Sequence, residues 1–143
     1  MILRIYYIFN IRKDVYNIYK DTPSVLFNFF NNLYYIDKKD LDCANTVFKQ
    51  VANKYNKELL DLKIYIKLHN KMRYIKRKEE HIINDIFKNE ISIMKIKKSY
   101  VVINSNCNYS EFFNILNYFY KNSFVCDFNN QDYFYLSDIK MLV

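Results

Sequence analysis

The 143-residue chain has no glycine, no tryptophan and a single proline, Pro23. Without glycine, the dinucleotide-binding fingerprint, the phosphate-binding P-loop and the nucleophile elbow of hydrolases are all excluded. Those loops need close backbone approach or positive φ, which glycine supplies most cheaply. Histidine is scarce as well. Of the two, His69 is expected on a wet strand face and His81 in a charged helix start, and neither has metal-ligand spacing. The three cysteines, Cys43, Cys107 and Cys126, are odd in number, widely spaced and free of any C-x-x-C pair. That pattern speaks against a disulfide frame or a zinc site and fits a reducing cytosol, with Cys126 as a small core residue. No apolar run reaches the roughly 18 residues a membrane span requires. The early residues lack the pattern of a secretory signal, so a cytoplasmic protein is expected. No cofactor is implied, and an enzyme is the least expected class.

Arginine is sparse too. Lys and Arg total 22, yet only Arg4, Arg12, Arg73 and Arg77 are arginines. The formal net charge of +7 could therefore mean an anionic partner, but readers of phosphate and bases lean on the guanidinium fork. Lysine, asparagine, isoleucine, tyrosine and phenylalanine are abundant together, as an A- and T-rich coding sequence would make them. The basic charge then reads first as a solvated surface. One segment stands out, Lys71-Met72-Arg73-Tyr74-Ile75-Lys76-Arg77-Lys78, which interleaves charge with apolar groups. It supports an alternative reading as a small basic nucleic-acid-binding module. Its plainer reading is a connector balanced by Glu79 and Glu80.

What is present in quantity is apolar and aromatic: 51% hydrophobic residues, with 15 tyrosines and 12 phenylalanines. This is globular composition, and the length suffices for one domain, residues 1–143, with a real core. Residues 2–11 suit a strand, with Leu3, Ile5, Tyr7, Phe9 and Ile11 on one face. The other face also carries apolar groups, so a central, doubly covered strand is expected. The period turns helical from Arg12, with Val15, Ile18 and Tyr19, and stops at Thr22-Pro23. Thr22 and Pro23 then start a second helix with the stripe Val25, Leu26, Phe29, Phe30 and Leu33. Asp37 caps a third, striped by Leu41, Ala44, Phe48, Val51 and Tyr55, with Gln50 and Asn53 off the stripe.

Leu60 to Met72 alternates apolar and polar residues and predicts a long strand. Arg73 to Lys78 follows as a connector, and Glu79 to Lys88 as a short helix using Ile82, Ile83, Ile86 and Phe87. Ile91–Ile96 and Tyr100–Asn104 read as a hairpin through Lys97-Lys98-Ser99. Asn108 and Glu111 have the spacing of a capping box for a helix carrying Phe112, Phe113, Leu116, Phe119 and Tyr120. Phe124–Phe128 and Tyr133–Leu136 close the chain as strands about a polar turn. The sum is an α+β two-layer domain, about six mostly antiparallel strands packed against four to five helices.

The first helix carries more apolar and aromatic surface than a short solvated helix needs. Val15 and Tyr19 are one turn apart on one face, while Tyr16 points elsewhere. If one face packs on the sheet, the other leaves aromatic area in solvent, where tyrosine favours interfaces. Burial of both faces in the core accounts for the pattern equally well.

The sequence resembles the SirA family, the sporulation inhibitors of replication of spore-forming Firmicutes. The resemblance runs from Tyr6-Tyr7-Ile8-Phe9 through Asn17-Ile18-Tyr19 and Ser24-Val25-Leu26-Phe27 to Phe30. It returns in Leu60 to Met72 and is strongest in Val125-Cys126-Asp127-Phe128-Asn129 followed by Tyr133-Phe134-Tyr135-Leu136. It implies an interaction protein that binds domain I of the initiator DnaA and blocks initiation at the chromosomal origin. It requires no nucleic acid, membrane or second copy. The family's binding surface lies on the first helix and the region of the third. By position it would comprise Val15 as an apolar contact, Tyr19 as an aromatic anchor, their neighbour Ile18, and Gln50 as an amide hydrogen-bonding group. Three positions depart from the family pattern: Val15 replaces a larger aromatic, Lys20-Asp21 replaces a glycine, and Tyr135 replaces a tryptophan.

Overall fold

A computed structural model describes residues 3–139. Its elements, in chain order, are strand β1 (Arg4–Ile11), helices α1 (Lys13–Tyr19), α2 (Pro23–Tyr34) and α3 (Leu41–Val51), the two-residue strand β2 (Ala52–Asn53), and helix α4 (Lys57–Leu68). Strands β3 (Tyr74–Arg77), β4 (Glu80–Asp85), β5 (Glu90–Ile96) and β6 (Val101–Ser105) follow, then α5 (Glu111–Phe119), β7 (Ser123–Asp127) and β8 (Asp132–Tyr135). Short 3-10 turns precede α3 and follow β8. All strand pairs are antiparallel, in the order β3-β4-β5-β6-β1-β7-β8, with β2 paired to the end of β1. The fold is α+β, as expected. Ile2, counted with the first strand in the sequence reading, lies outside the described residues.

β1 is the central strand, held by β6 on one side and β7 on the other. Because its side chains alternate, it feeds two cores. Tyr6 and Ile8 join a core built with Leu60, Ile64 and Leu68 of α4 and Phe112, Phe113 and Leu116 of α5. Phe9 and Ile11 face the opposite side and meet Val15, Leu26, Phe27 and Phe30 of α1 and α2. The β3–β5 end thus has helices on one face only, while beneath β1, β7 and β8 a second helical layer closes the other. β5 shows the one-sided pattern cleanly, burying Glu90, Ser92, Met94 and Ile96 in alternation.

The α2 start at Pro23, the β5–β6 hairpin and the closing β7–β8 hairpin form where the sequence predicts them. Five other segments differ. Leu60 to Met72 is not a strand; most of it is the C-terminal part of α4, capped by the Asn56 side chain, which accepts from the Leu59 N–H at 3.2 Å. Leu60, Ile64 and Leu68 sit at i, i+4 and i+8 and are buried, whereas Leu62 and Ile66 project outward. Two residues along a helix turn by about 200°, so apolar stripes on opposite faces give the same alternation as a strand. Arg73 to Lys78 is no mere connector, because it contains β3.

Glu79 to Lys88 is not a helix either. It forms β4 and the turn after it, pairing Ile83 with Tyr74 and with Ser92. The adjacent pair Ile82-Ile83, taken for part of a helical stripe, is β-branched and divides between the two sheet faces. α3 ends at Val51, because Ala52 and Asn53 leave the helix to pair with Ile11 and Asn10. Tyr55 therefore belongs to the other core, where its hydroxyl donates to the Ile8 carbonyl at 3.1 Å. Finally, α5 is capped by Ser110, not Asn108. The Ser110 hydroxyl accepts from the Phe112 N–H, and Asn108 instead accepts from Arg4.

The missing glycines leave a mark. Lys78, Asn89 and Gln131 occupy the left-handed region, with φ of 54°, 52° and 54°. Each sits in the connection of a hairpin (β3–β4, β4–β5 and β7–β8), where glycine is the usual choice.

Candidate protein-binding surface

α1 is short, seven residues, and cannot be stable alone. Its inner side is fastened by aromatic packing. Tyr16 meets Tyr135 edge-to-face with ring centroids 5.1 Å apart, and the Tyr135 hydroxyl donates to the Tyr19 carbonyl at 3.0 Å. Burial pushes the Tyr135 phenol up to about 12, so it stays a protonated donor at any physiological pH. The helix start is tied to the end of α3. The Arg12 N–H donates to the Val51 carbonyl at 2.9 Å, and its guanidinium reaches the Lys49 carbonyl at 3.4 Å. Asp14, in the first turn, holds the same guanidinium at 3.2 Å.

These ties bring the α3 end, and with it Gln50, beside the α1 start. The four candidate residues divide by exposure. Val15 is 9% exposed and packs into the α1–α2 core. Ile18 is 69% exposed, an apolar side chain on the outer face of α1. Tyr19 is half-buried against the same core, and Gln50 is exposed. Ile18, Tyr19 and Gln50 thus present groups to solvent, while Val15 holds α1 against the core beneath them. Sequence reasoning gave no role to Arg12, which links the two helices, and assigned no contact to Tyr16. Arg12 carries the signal of any solvated helix start, and Tyr135, the partner of Tyr16, lies more than a hundred residues away.

A cavity of 290 Å³ between α2, α3 and the sheet is lined by Tyr7, Phe9, Phe48, Tyr100, Phe128 and their neighbours, with no charged, histidine or cysteine side chain. His81, expected at a helix start, is buried on β4. Its Nε2 donates to Asp61 Oδ1 at 2.7 Å, and its Nδ1 accepts from the Tyr74 hydroxyl at 2.8 Å. Burial lowers its pKa, opposed by the Asp61 carboxylate, so this chain of two bonds pins α4 to β3 and β4 with a neutral ring. His69 is exposed at the α4 end and stacks on Tyr65. Among the described residues, no group of His, Cys, Asp and Glu side chains could hold a metal ion, and no helix is long and apolar enough to cross a membrane.

The sequence profile described as sporulation inhibitor of replication protein SirA matches residues 4–140. The chain belongs to the SirA family. No individually curated protein is significantly similar to it along its sequence. The match spans both cores and every helix and strand, so it covers the α1–α3 surface together with the frame that holds it. As a SirA-family member the chain belongs among inhibitors of replication in sporulation, a regulatory class. The basic segment Lys71 to Lys78 does not form one free rail. Arg73 is held bidentate by Glu111 at 2.8 Å, Tyr74 is buried, and Lys76 turns back to the Lys78 carbonyl. The neighbouring Glu79 binds Lys57 at 3.1 Å, and Glu80 lies 3.7 Å from Lys95.

Proposed function

We propose that this SirA-family protein inhibits replication by binding domain I of the initiator DnaA through the outer face of α1 and the adjoining end of α3. The observation that carries the reading is Ile18, a large aliphatic side chain 69% exposed on a helix whose other side is locked by Tyr16, Val15 and Tyr135. A short helix gains nothing in its own fold from such a side chain, but a partner could bury it on a surface that is already rigid. Tyr19 supplies an aromatic wall beside it, and Gln50 an amide able to donate and accept at the rim. Val15 supports the surface from within, which suits a small β-branched residue where the family pattern has a larger aromatic. Occlusion of domain I would then keep the initiator from productive assembly at the origin.

The test is calorimetry of the full chain with the cognate domain I. Saturable binding is expected, with Tyr19→Ala and Ile18→Ala each costing on the order of 2 kcal/mol, as central apolar anchors do. Gln50→Ala, at the rim, should cost less. Absence of heat at high micromolar concentrations of both proteins would end the reading. Unchanged affinity in the Ile18 and Tyr19 variants would move the site off α1.

A further inference from the structure

α4 is apolar on two sides. Leu60, Ile64 and Leu68 fill the core, while Leu59, Leu62 and Ile66 form a second stripe at i, i+3 and i+7 that points into solvent. Leu62 is 53% and Ile66 60% exposed. Nothing in the described chain covers them. This spacing is that of a helix seam and not of scattered surface leucines.

One flank of the stripe is charged in one sign. Lys63 and Lys67 are one turn apart on α4 and lean over the neighbouring helix α5. The Lys63 ammonium lies 5.4 Å from the Phe119 ring, and that of Lys67 lies 4.4 Å from the Tyr118 ring. Lys121 reaches the same Tyr118 ring at 5.8 Å. Three ammonium groups thus gather on two adjacent rings, and none of the three forms an ion pair among the described residues. Cation–π contact offsets only part of such mutual repulsion. The carboxylate nearest in sequence, Asp61, is committed to His81. On the other flank, Tyr65 and His69 stack on one another, with Glu58 near the helix start.

We propose that the outward face of α4 docks an acidic amphipathic helix of a partner protein. The partner's apolar side would seat on Leu59, Leu62 and Ile66, and its carboxylates would meet Lys63, Lys67 and Lys121. Charge decides among the occupants such a seam could take. A second copy of this chain carries the same lysines and a net charge of +7, so pairing α4 with α4 would bring like charges together. A helix with carboxylates beside its apolar stripe relieves the repulsion and covers the seam in one step. The face lies across the sheet from α1, since α4 packs on the Tyr6–Ile8 side of β1 and α1 on the Phe9–Ile11 side. It is therefore independent of the proposed initiator surface.

The experiment titrates the isotopically labelled full chain with a synthetic helical peptide bearing leucines at i, i+3 and i+7 flanked by glutamates. A peptide of the same composition in scrambled order serves as control. Saturable binding is expected, with amide shifts confined to α4 and the facing side of α5. Leu62→Glu/Ile66→Glu and, separately, Lys63→Glu/Lys67→Glu should each weaken it at least tenfold, and added salt should weaken it several-fold. All four positions lie outside the buried core, so circular dichroism should report an unchanged fold; if one pair fails to fold, the other and the shift map still decide. Tyr19→Ala should leave peptide binding unchanged whether or not the initiator reading holds. No saturation, equal binding of the scrambled peptide, or shifts centred elsewhere would overturn the proposal. So would a concentration-dependent dimer abolished by Leu62→Glu/Ile66→Glu, or capture of phosphatidylglycerol vesicles through this face without peptide binding.

Discussion

The two faces of the sheet are packed by different means. Beneath α4 and α5 the core is largely aliphatic, and buried polar groups fix its geometry. One is the Asp61–His81–Tyr74 chain. Another is Glu90, which accepts from the hydroxyls of Ser92 and Ser110 and from the Glu111 N–H at the start of α5. Beneath α1, α2 and α3 the core is mainly aromatic. Phe9 and Phe30 stack with centroids 3.9 Å apart and planes within 6°, and Phe27, Tyr34, Phe124, Phe128 and Tyr133 continue the ring contacts. Aliphatic packing with directional anchors specifies where α4 sits; ring packing specifies volume and shape. The first face should therefore answer to pH and the second to truncation.

The largest effect falls on the aromatic side. Phe30 is almost wholly buried between Phe9, Phe48 and Phe124, so Phe30→Ala removes a ring the short helices cannot collapse around. Denaturant unfolding should show a loss of about 3–5 kcal/mol, enough to threaten a domain of this size. A loss under about 1 kcal/mol would mean that this face packs loosely and that α1 is not held by it. The next effect falls on the other face. Burial lowers the His81 pKa below its unfolded value, so between the two the unfolded chain binds more protons. The stability tied to a neutral His81 is present above about pH 6.5, the ordinary histidine value, and is lost as pH falls from there toward the folded pKa. Urea midpoints between pH 7.5 and 5.5 should drop with acid in the wild type and change less in His81→Gln.

The same contrast explains what the sequence could disclose. The aromatic face was largely readable, because Pro23 marks the start of α2 and β1 is apolar on both faces. The closing hairpin announces itself by a polar turn between two apolar runs. The aliphatic face was readable only in part: the β5–β6 hairpin and α5 stand where their patterns put them, but α4 is apolar on both sides and so imitates a strand. β4 was lost with it, since a short strand containing adjacent isoleucines has no period of its own; the partners that define it, β3 and β5, decide its state. At the α1 surface, the outward position of Ile18 relative to Val15 follows from helical spacing once one face is known to pack. Which face packs is set by Tyr135, and no local pattern carries that.

The smallest test probes a hairpin on the aliphatic face alone. Lys78 connects β3 to β4 at φ 54°, and its side chain is exposed. A residue with a Cβ pays a steric cost there that glycine avoids, while glycine loses more chain entropy on folding. The two terms oppose, and at a left-handed position the steric one prevails. Lys78→Gly should therefore raise stability by about 0.5–1 kcal/mol, read as a shift of the urea midpoint with unchanged slope. Because β3 is the sheet edge farthest from β7 and β8, hydrogen exchange should slow in β3 and β4 where they open by local fraying, and not in α1 or α2. Equal slowing in all four would show that the two cores open only together. The acid sensitivity of one face would then be transmitted in full to the α1 surface on the other.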